Sequence, residues 1–283
     1  MIAVQPVTLP RSIYIEPTSR CNEFCQQCPR TLLSREDDRD LSFDEFRWIV
    51  DQFPVLDRVV LHGLGEPLLN KDLPRMVRYM KDRGTYVLFN SNGIALSEKR
   101  GQALIDAGLD EYRLSMDGAT RETYARVRGV DAFEKIWSNV RRFIQLLKAQ
   151  QAQKPAISLW FTAMRENLHE LPLLIEKAAE NGVPEVYMQR LVYFEKGLAA
   201  AKQSLFRRST SEELALIHDC EKRCNELGIR FRAAGSATPL ESITRDFGER
   251  PWSGCRRPYT TTYITARGNV LSCCFAPFGH RSA

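Results

Sequence analysis

No stretch of this sequence approaches the roughly 20 uninterrupted apolar residues that a membrane-crossing helix needs. Its start, MIAVQPVTLPRS, also lacks the charged opening and apolar core of a signal peptide. Neither sign of charge dominates: 40 basic residues stand among 35 acidic ones, a formal net charge of +5. Short basic groups such as Arg141-Arg142, Arg207-Arg208 and Arg256-Arg257 read as solvated faces rather than as a nucleic-acid patch. The eight cysteines form no regular disulfide pattern, which fits a reducing compartment where thiolates serve metals. These absences predict a cytoplasmic protein with no membrane and no nucleic-acid partner. What remains is 283 residues with an ordinary 43% hydrophobic content, enough for one large α/β barrel or two smaller domains.

Against that background the run CNEFCQQC stands out, with Cys21, Cys25 and Cys28 directly after a short strand-like segment. Three thiolates at that spacing hold three irons of a 4Fe-4S cube and leave the fourth iron open to a ligand. A closed zinc site wants a fourth Cys or His nearby, and none follows before His62. Half of a zinc site completed from far away, or a chance cluster of buried thiols, are the alternatives; the polar loop (Asn22, Glu23, Gln26, Gln27, Arg30) weighs against the second.

Strand-like and helix-like segments alternate along the chain. Strands are expected at 12–16, 57–62, 85–90, 110–116, 156–163 and 185–191. Helices are expected at 43–53 with Ser42 and Glu45 as a capping box, at 72–83 closed by Gly84, at 97–107 ending at Gly108, at 133–150, and at 168–181 capped by Asn167 and stopped by Gly182. Six βα units with continuous apolar strands predict a parallel sheet covered by helices, curled by right-handed crossovers into a full or partial barrel. The loops after the strands then form the active face. They carry the cysteine triplet, then Gly63-Leu64-Gly65-Glu66-Pro67, then Asn90-Ser91-Asn92-Gly93, then Ser115-Met116-Asp117-Gly118. Any one of these is an ordinary turn sequence; their joint position on one rim is the signal. His62 reads as a hydrogen-bonded structural histidine, and alternation leaves open which way Gln189 faces.

With these motifs the sequence resembles the radical S-adenosylmethionine (SAM) superfamily over roughly 12–191. The resemblance implies an α/β fold, a partial (β/α)6 TIM-like barrel, with Cys21, Cys25 and Cys28 ligating the 4Fe-4S cluster and SAM on the open iron. It implies that one electron cleaves the sulfonium to a 5′-deoxyadenosyl radical. Gly65 and Glu66 match the turn that binds the SAM amino group, although Leu64 replaces its first glycine. Asn92 in the following turn is expected to bind cofactor, as are Ser115 and Asp117, which match the SLDG segment. Arg126 or Arg128 is a candidate for the SAM carboxylate, with Arg128 expected among the cofactor-binding residues. Gln27 stands where the family usually has an aromatic.

Beyond the barrel, 12 residues separate Cys255 from Gly268 and 4 separate Gly268 from Cys273, a spacing that resembles the opening of a SPASM or twitch auxiliary-cluster domain. A β-hairpin turned at Arg267-Gly268-Asn269 is expected, with Cys255, Cys273 and Cys274 as candidate ligands of an auxiliary iron–sulfur cluster; the alternative is a pair of stapled or buried thiols. The end nine residues after Cys274 reads as a truncation. Cys220 and Cys224, four apart, fall on one helix face and read as core. The expected division is a core barrel at 1–194, a helical connector with a final strand at 195–254, and an incomplete auxiliary segment at 255–283. The expected activity is hydrogen abstraction from a peptide, protein or small-molecule substrate in peptide, protein or cofactor maturation, fed by an electron donor such as a flavodoxin or ferredoxin. A radical SAM methyltransferase and a non-enzymatic iron–sulfur sensor or scaffold are the rival classes.

Overall fold

The computed structural model describes residues 9–33, 37–235, 238–246, 248 and 255–273. Nine strands among them form one sheet: β1 Ser12–Ile15, β2 Arg58–Val60, β3 Tyr86–Ser91, β4 Glu111–Ser115, β5 Ala156–Ala163, β6 Glu185–Arg190, β7 Arg230–Ala233, β8 Thr261–Ile264 and β9 Val270–Leu271. Their order is β7-β6-β5-β4-β3-β2-β1-β8-β9. Every neighbouring pair is parallel except the β8–β9 hairpin, so the sheet is open, a partial barrel. The hairpin turns at Gly268, whose positive φ favours glycine, and it extends the same sheet at the β1 edge.

The helices are α1 Pro29–Leu32, α2 Phe43–Asp51, α3 Leu73–Asp82, α4 Glu98–Asp106, α5 Arg121–Arg128, α6 Phe133–Ala149, α7 Leu171–Glu180, α8 Ser211–Glu226, α9 Pro239–Thr244 and α10 Arg257–Thr260. Local chemistry sets many of their ends. Ser42 and Glu45 form the expected capping box of α2, and Gly84, Gly108 and Gly182 take positive φ just past α3, α4 and α7. Asn167 differs: its side chain makes no cap bond, because its amide donates to the carbonyls of Asp117 and Thr162 and its oxygen accepts from Met164 N.

β2 and β3 carry the continuous buried runs expected, whereas β1 and β4 alternate. In β1, Ile13 and Ile15 are buried while Ser12 and Tyr14 are half-buried, and β4 alternates likewise. The main core lies on one face of the sheet, built from side chains such as Ile13, Val87, Tyr112, Leu159 and Met188 with the inner faces of α3, α6 and α7. The second face carries Tyr14, His62, Arg113, Trp160 and Tyr187. Cys220 and Cys224 of α8 are buried in the main core. No helix among the described residues is long and apolar enough to cross a membrane.

Candidate functional site

The cysteine loop leaves β1 and is held by backbone contacts on three sides. On the first, Glu66 N donates to Arg20 O at 2.7 Å, and a Cβ on Gly65 would stand 2.0 Å from Thr18 O. Only glycine admits that approach. On the second, the C-terminal end of α5 accepts from the loop: Phe24 N to Arg128 O at 3.1 Å and Gln26 N to Val127 O at 2.9 Å. Gly129 closes that helix in the left-handed region, with a Cβ there 2.4 Å from Phe24 O. On the third, Leu198 N donates to Gln26 O at 2.7 Å. Gly65→Ala is therefore expected to destabilise the protein by about 3 kcal/mol; in a urea titration, a loss below about 1 kcal/mol would mean the turn has slack.

Glu66 lies buried beneath this loop. Its carboxylate accepts from Leu68 N (3.0 Å), Ser91 Oγ (2.7 Å) and Asn92 N (2.7 Å). Burial nevertheless pushes its pKa up to about 7, because these donors only partly replace lost water. Asn92 donates its amide to Asn22 Oδ1 at 2.8 Å, which ties the third strand's turn to the cysteine loop, and its oxygen accepts from Ile94 N. Leu64 lends the site its backbone N–H, which donates to Glu16 Oε1 at 2.7 Å; Glu16 Oε2 accepts from Ala266 N at 3.1 Å. The fully buried Glu16 thus joins the β2 turn to the C-terminal hairpin.

The second cluster of charge surrounds Cys25. Arg128 Nη1 lies 3.1 Å from Glu23 Oε2 and 3.7 Å from Cys25 Sγ, and Nη2 lies 2.9 Å from Asp117 Oδ2. All these side chains are buried. Tyr124 donates its hydroxyl to Glu23 Oε1, and the Cys25 thiol donates to Glu23 Oε2 at 3.4 Å. Asp117 also accepts from Thr162 N and, at 2.7 Å, from the Gln27 amide, so Gln27 occupies a polar position here. Arg126 points elsewhere, to Glu166 at 2.7 Å on the surface. Ser115 ends β4, half-buried, opposite Trp160 of β5.

As free thiols these cysteines hold their protons. Burial pushes Cys21 up to about 12 and raises Cys25 and Cys28, with the Arg128 guanidinium pulling the latter two back. A metal that displaces those protons therefore finds thiolate stabilisation already built beside Cys25. Among the described residues no three His, Cys, Asp or Glu side chains converge on one ion; a cube asks for something else, one thiolate per iron. The donor set fits a cluster of that kind. Cys255 is exposed and Cys273 half-buried, and Cys274 lies outside the described residues. His62 packs 5.6 Å from Tyr14, bonds Asn90, and is held neutral, its pKa pushed down to about 3 by burial and by Arg113 and Arg58. Gln189 lies on the Tyr187 face of β6, since Val186 and Met188 point into the core.

Reading the sequence missed Glu23, Tyr124 and Glu16. Apart from Cys25, two residues from Glu23, their partners lie 48 or more residues away, and no local pattern marks them.

Residues 15–150 match the model of the Radical SAM superfamily. The chain is 26% identical over 244 residues to Fe-coproporphyrin III synthase of Methanosarcina barkeri, covering 86% of this chain and 55% of that protein. It is 30% identical over 281 residues to the AdoMet-dependent heme synthase of the same organism, covering 95% and 78%. Its fold matches Streptococcus suis SuiB bound to its precursor peptide SuiA with a TM-score of 0.69 at 17% identity, over 95% of this chain and 60% of that one. The chain thus spans little more than half of the first of these relatives.

Proposed function

The chain belongs to the radical SAM superfamily, and from that premise we propose that it is an enzyme that binds a 4Fe-4S cluster through Cys21, Cys25 and Cys28 and cleaves SAM reductively to abstract hydrogen from a substrate in peptide, protein or cofactor maturation. The observation that carries the proposal is the joint placement of three thiols and the Gly65-Glu66 turn: the cysteine loop is bonded directly to that turn through Arg20 O and to the next through Asn22. A sensor needs the thiols and has no use for the turn. The names of the two Methanosarcina relatives, both synthases of haem-type compounds, favour cofactor maturation.

Each residue of the site has a role in this reading. When bound, the cluster supplies the electron that splits the SAM sulfonium. Glu66 opposes the SAM ammonium, with Gly65 letting the turn approach and Asn92 fixing the loop above it. Ser115, at the end of β4, faces the ribose or carboxylate end. Arg128 and Asp117 hold the Cys25 side of the loop by a buried ion pair, with Arg128 offsetting thiolate charge, and Arg128 stays the candidate for the SAM carboxylate alongside its bonds to Glu23 and Asp117. Cys255, Cys273 and Cys274 remain candidates for an auxiliary cluster, a reading supported by their spacing around Gly268, and the division at 194 and 254 belongs to the same proposal. A low-potential flavodoxin or ferredoxin is the electron source this chemistry calls for.

The test is anaerobic reconstitution followed by dithionite and SAM, with chromatographic quantitation of 5′-deoxyadenosine. Product is expected from the parent chain and none from Cys25→Ala, whose circular dichroism is expected to match the parent. A loaded cluster yielding no 5′-deoxyadenosine would support the sensor class, and S-adenosylhomocysteine the methyltransferase.

A further inference from the structure

One carboxylate stands where three segments far apart in sequence meet. Glu16 directly follows β1, and its N–H donates to Ile264 O at 2.9 Å, which carries the β1–β8 pairing one residue further. The turn of the C-terminal hairpin therefore lies past the end of β1, beside the turn that follows β2. The Glu16 side chain is fully buried between the two: Oε1 accepts from Leu64 N at 2.7 Å and Oε2 from Ala266 N at 3.1 Å. The fit is close. A Cβ on Gly63 would stand 2.5 Å from Glu16 Cγ and 2.4 Å from the hydroxyl oxygen of Tyr263 in β8, so this glycine lets the β2 turn close down on both.

These bonds fix how the turn at 63–66 is oriented. A trans peptide unit is planar, with its N–H and C=O pointing opposite ways. The Leu64 N–H held toward Glu16 therefore turns the Gly63 carbonyl away from it, and the Glu66 N–H held by Arg20 O does the same to the Gly65 carbonyl. Between those anchors the peptide units leading into Glu66 have little freedom, and Glu66 is the proposed partner of the SAM ammonium. One anchor comes from the cysteine loop. The other is a side chain whose second oxygen is held by the hairpin. A carboxylate serves both N–H groups at once because both its oxygens accept, whereas an amide has one accepting oxygen and would turn its own N–H2 toward the second donor.

We propose that Glu16 is a positioning residue for the SAM site: it couples the orientation of the turn at 63–66 to the docking of the β8–β9 hairpin, so that SAM binds tightly only while the hairpin is seated. The inference deepens the proposed function and rests on it for SAM as the ligand. Glu16 acts through Leu64 N rather than on SAM itself. Coupling of this kind is reciprocal: the factor by which the seated hairpin tightens SAM is also the factor by which SAM holds the hairpin down.

The test combines equilibrium titration of SAM with hydrogen exchange of the reconstituted full chain, followed in peptides covering 60–70 and 261–271. Glu16→Gln is expected to weaken SAM binding about tenfold at unchanged iron content and to speed exchange in both segments. Gly268→Val reaches the hairpin without touching the site. Gly268 has a φ of +82° and no neighbouring atom within 4 Å of where its Cβ would stand, so a β-branched side chain there loosens the turn through backbone strain alone. It is expected to speed exchange in 60–70 and to weaken SAM binding about three- to fivefold. Gly228→Val, just past α8, puts the same strain at a φ of +68° into equally open space and is expected to change neither. SAM is expected to slow exchange of 261–271 in the parent and to have no such effect in Glu16→Gln. Should Glu16→Gln fail to fold, Gly268→Val carries the test alone. Hairpin exchange indifferent to SAM in the parent, or a SAM affinity within about twofold of the parent in either variant, would overturn the inference and leave the proposed function standing. A parent chain that binds no SAM would overturn the proposed function, and the inference with it.

Discussion

Arg128→Met is expected to destabilise the folded chain by about 3–5 kcal/mol, the cost of breaking a buried ion pair from one side. The variant keeps Glu23 and Asp117 inside while removing the cation that lies 3.1 Å from one and 2.9 Å from the other. Residual bonds moderate the loss: Tyr124 still donates to Glu23, and Thr162 N and Gln27 to Asp117. Arg128→Lys restores a charge without the two-armed geometry and is expected to recover about half the loss. The sign of the pH dependence separates this from a packing defect. Burial already raises the Asp117 pKa, with Arg128 pulling it down, so without the arginine its folded pKa climbs further above the unfolded value. A group so raised favours the folded state at low pH, and the deficit of Arg128→Met therefore shrinks as pH falls from neutral. Guanidinium chloride titrations at two pH values decide the matter; a deficit below about 1 kcal/mol, or one that grows on acidification, would refute the account.

The features legible in the sequence were those that a few neighbouring residues determine. Ser42 with Glu45, and the glycines after α3, α4 and α7, act within one helical turn, so their pattern suffices. The cysteine triplet and the four rim turns were legible because parallel βα units place every post-strand loop on one side. Asn167 carried the right residue type for a cap, yet its amide joins Asp117 and Thr162 across two strands, a competition that local spacing does not record. Glu23 looked like one more polar residue in a loop, and it became a buried ion-pair partner only once α5 was folded against it. The departure at Leu64 has a similar explanation: the turn uses that residue's N–H and requires an absent side chain at Gly65. The stack of Trp160 on Tyr187 was hidden because both sit half-buried on the face opposite the main core, where continuous apolar strands were expected.

SAM affinity is expected to rise with pH through about 7 and to fall about a hundredfold in Glu66→Gln, the scale set by losing a charged, buried partner of an ammonium. Burial holds the Glu66 pKa at about 7 against an ordinary 4.5. A carboxyl raised in this way stabilises the fold below its unfolded pKa, and that contribution, about 3 kcal/mol, is lost as pH rises through about 7. At neutral pH the site therefore carries a half-formed anion that Leu68 N, Ser91 Oγ and Asn92 N stabilise incompletely. An ammonium brought to it completes the set and draws the pKa down, so binding at about pH 6 releases a proton from Glu66. Calorimetry in two buffers of different ionisation enthalpy measures that proton directly, and the same titrations give the affinity between about pH 5.5 and pH 8. Glu66→Gln keeps the side chain's shape but turns an amide N–H2 toward one of the donors that now face the carboxylate, so it loses the proton release and the pH dependence together. Affinity that stays flat across that range, or a Gln variant that binds within about threefold of the parent, would remove Glu66 from the ammonium site and leave it as a structural brace between the β2 and β3 turns.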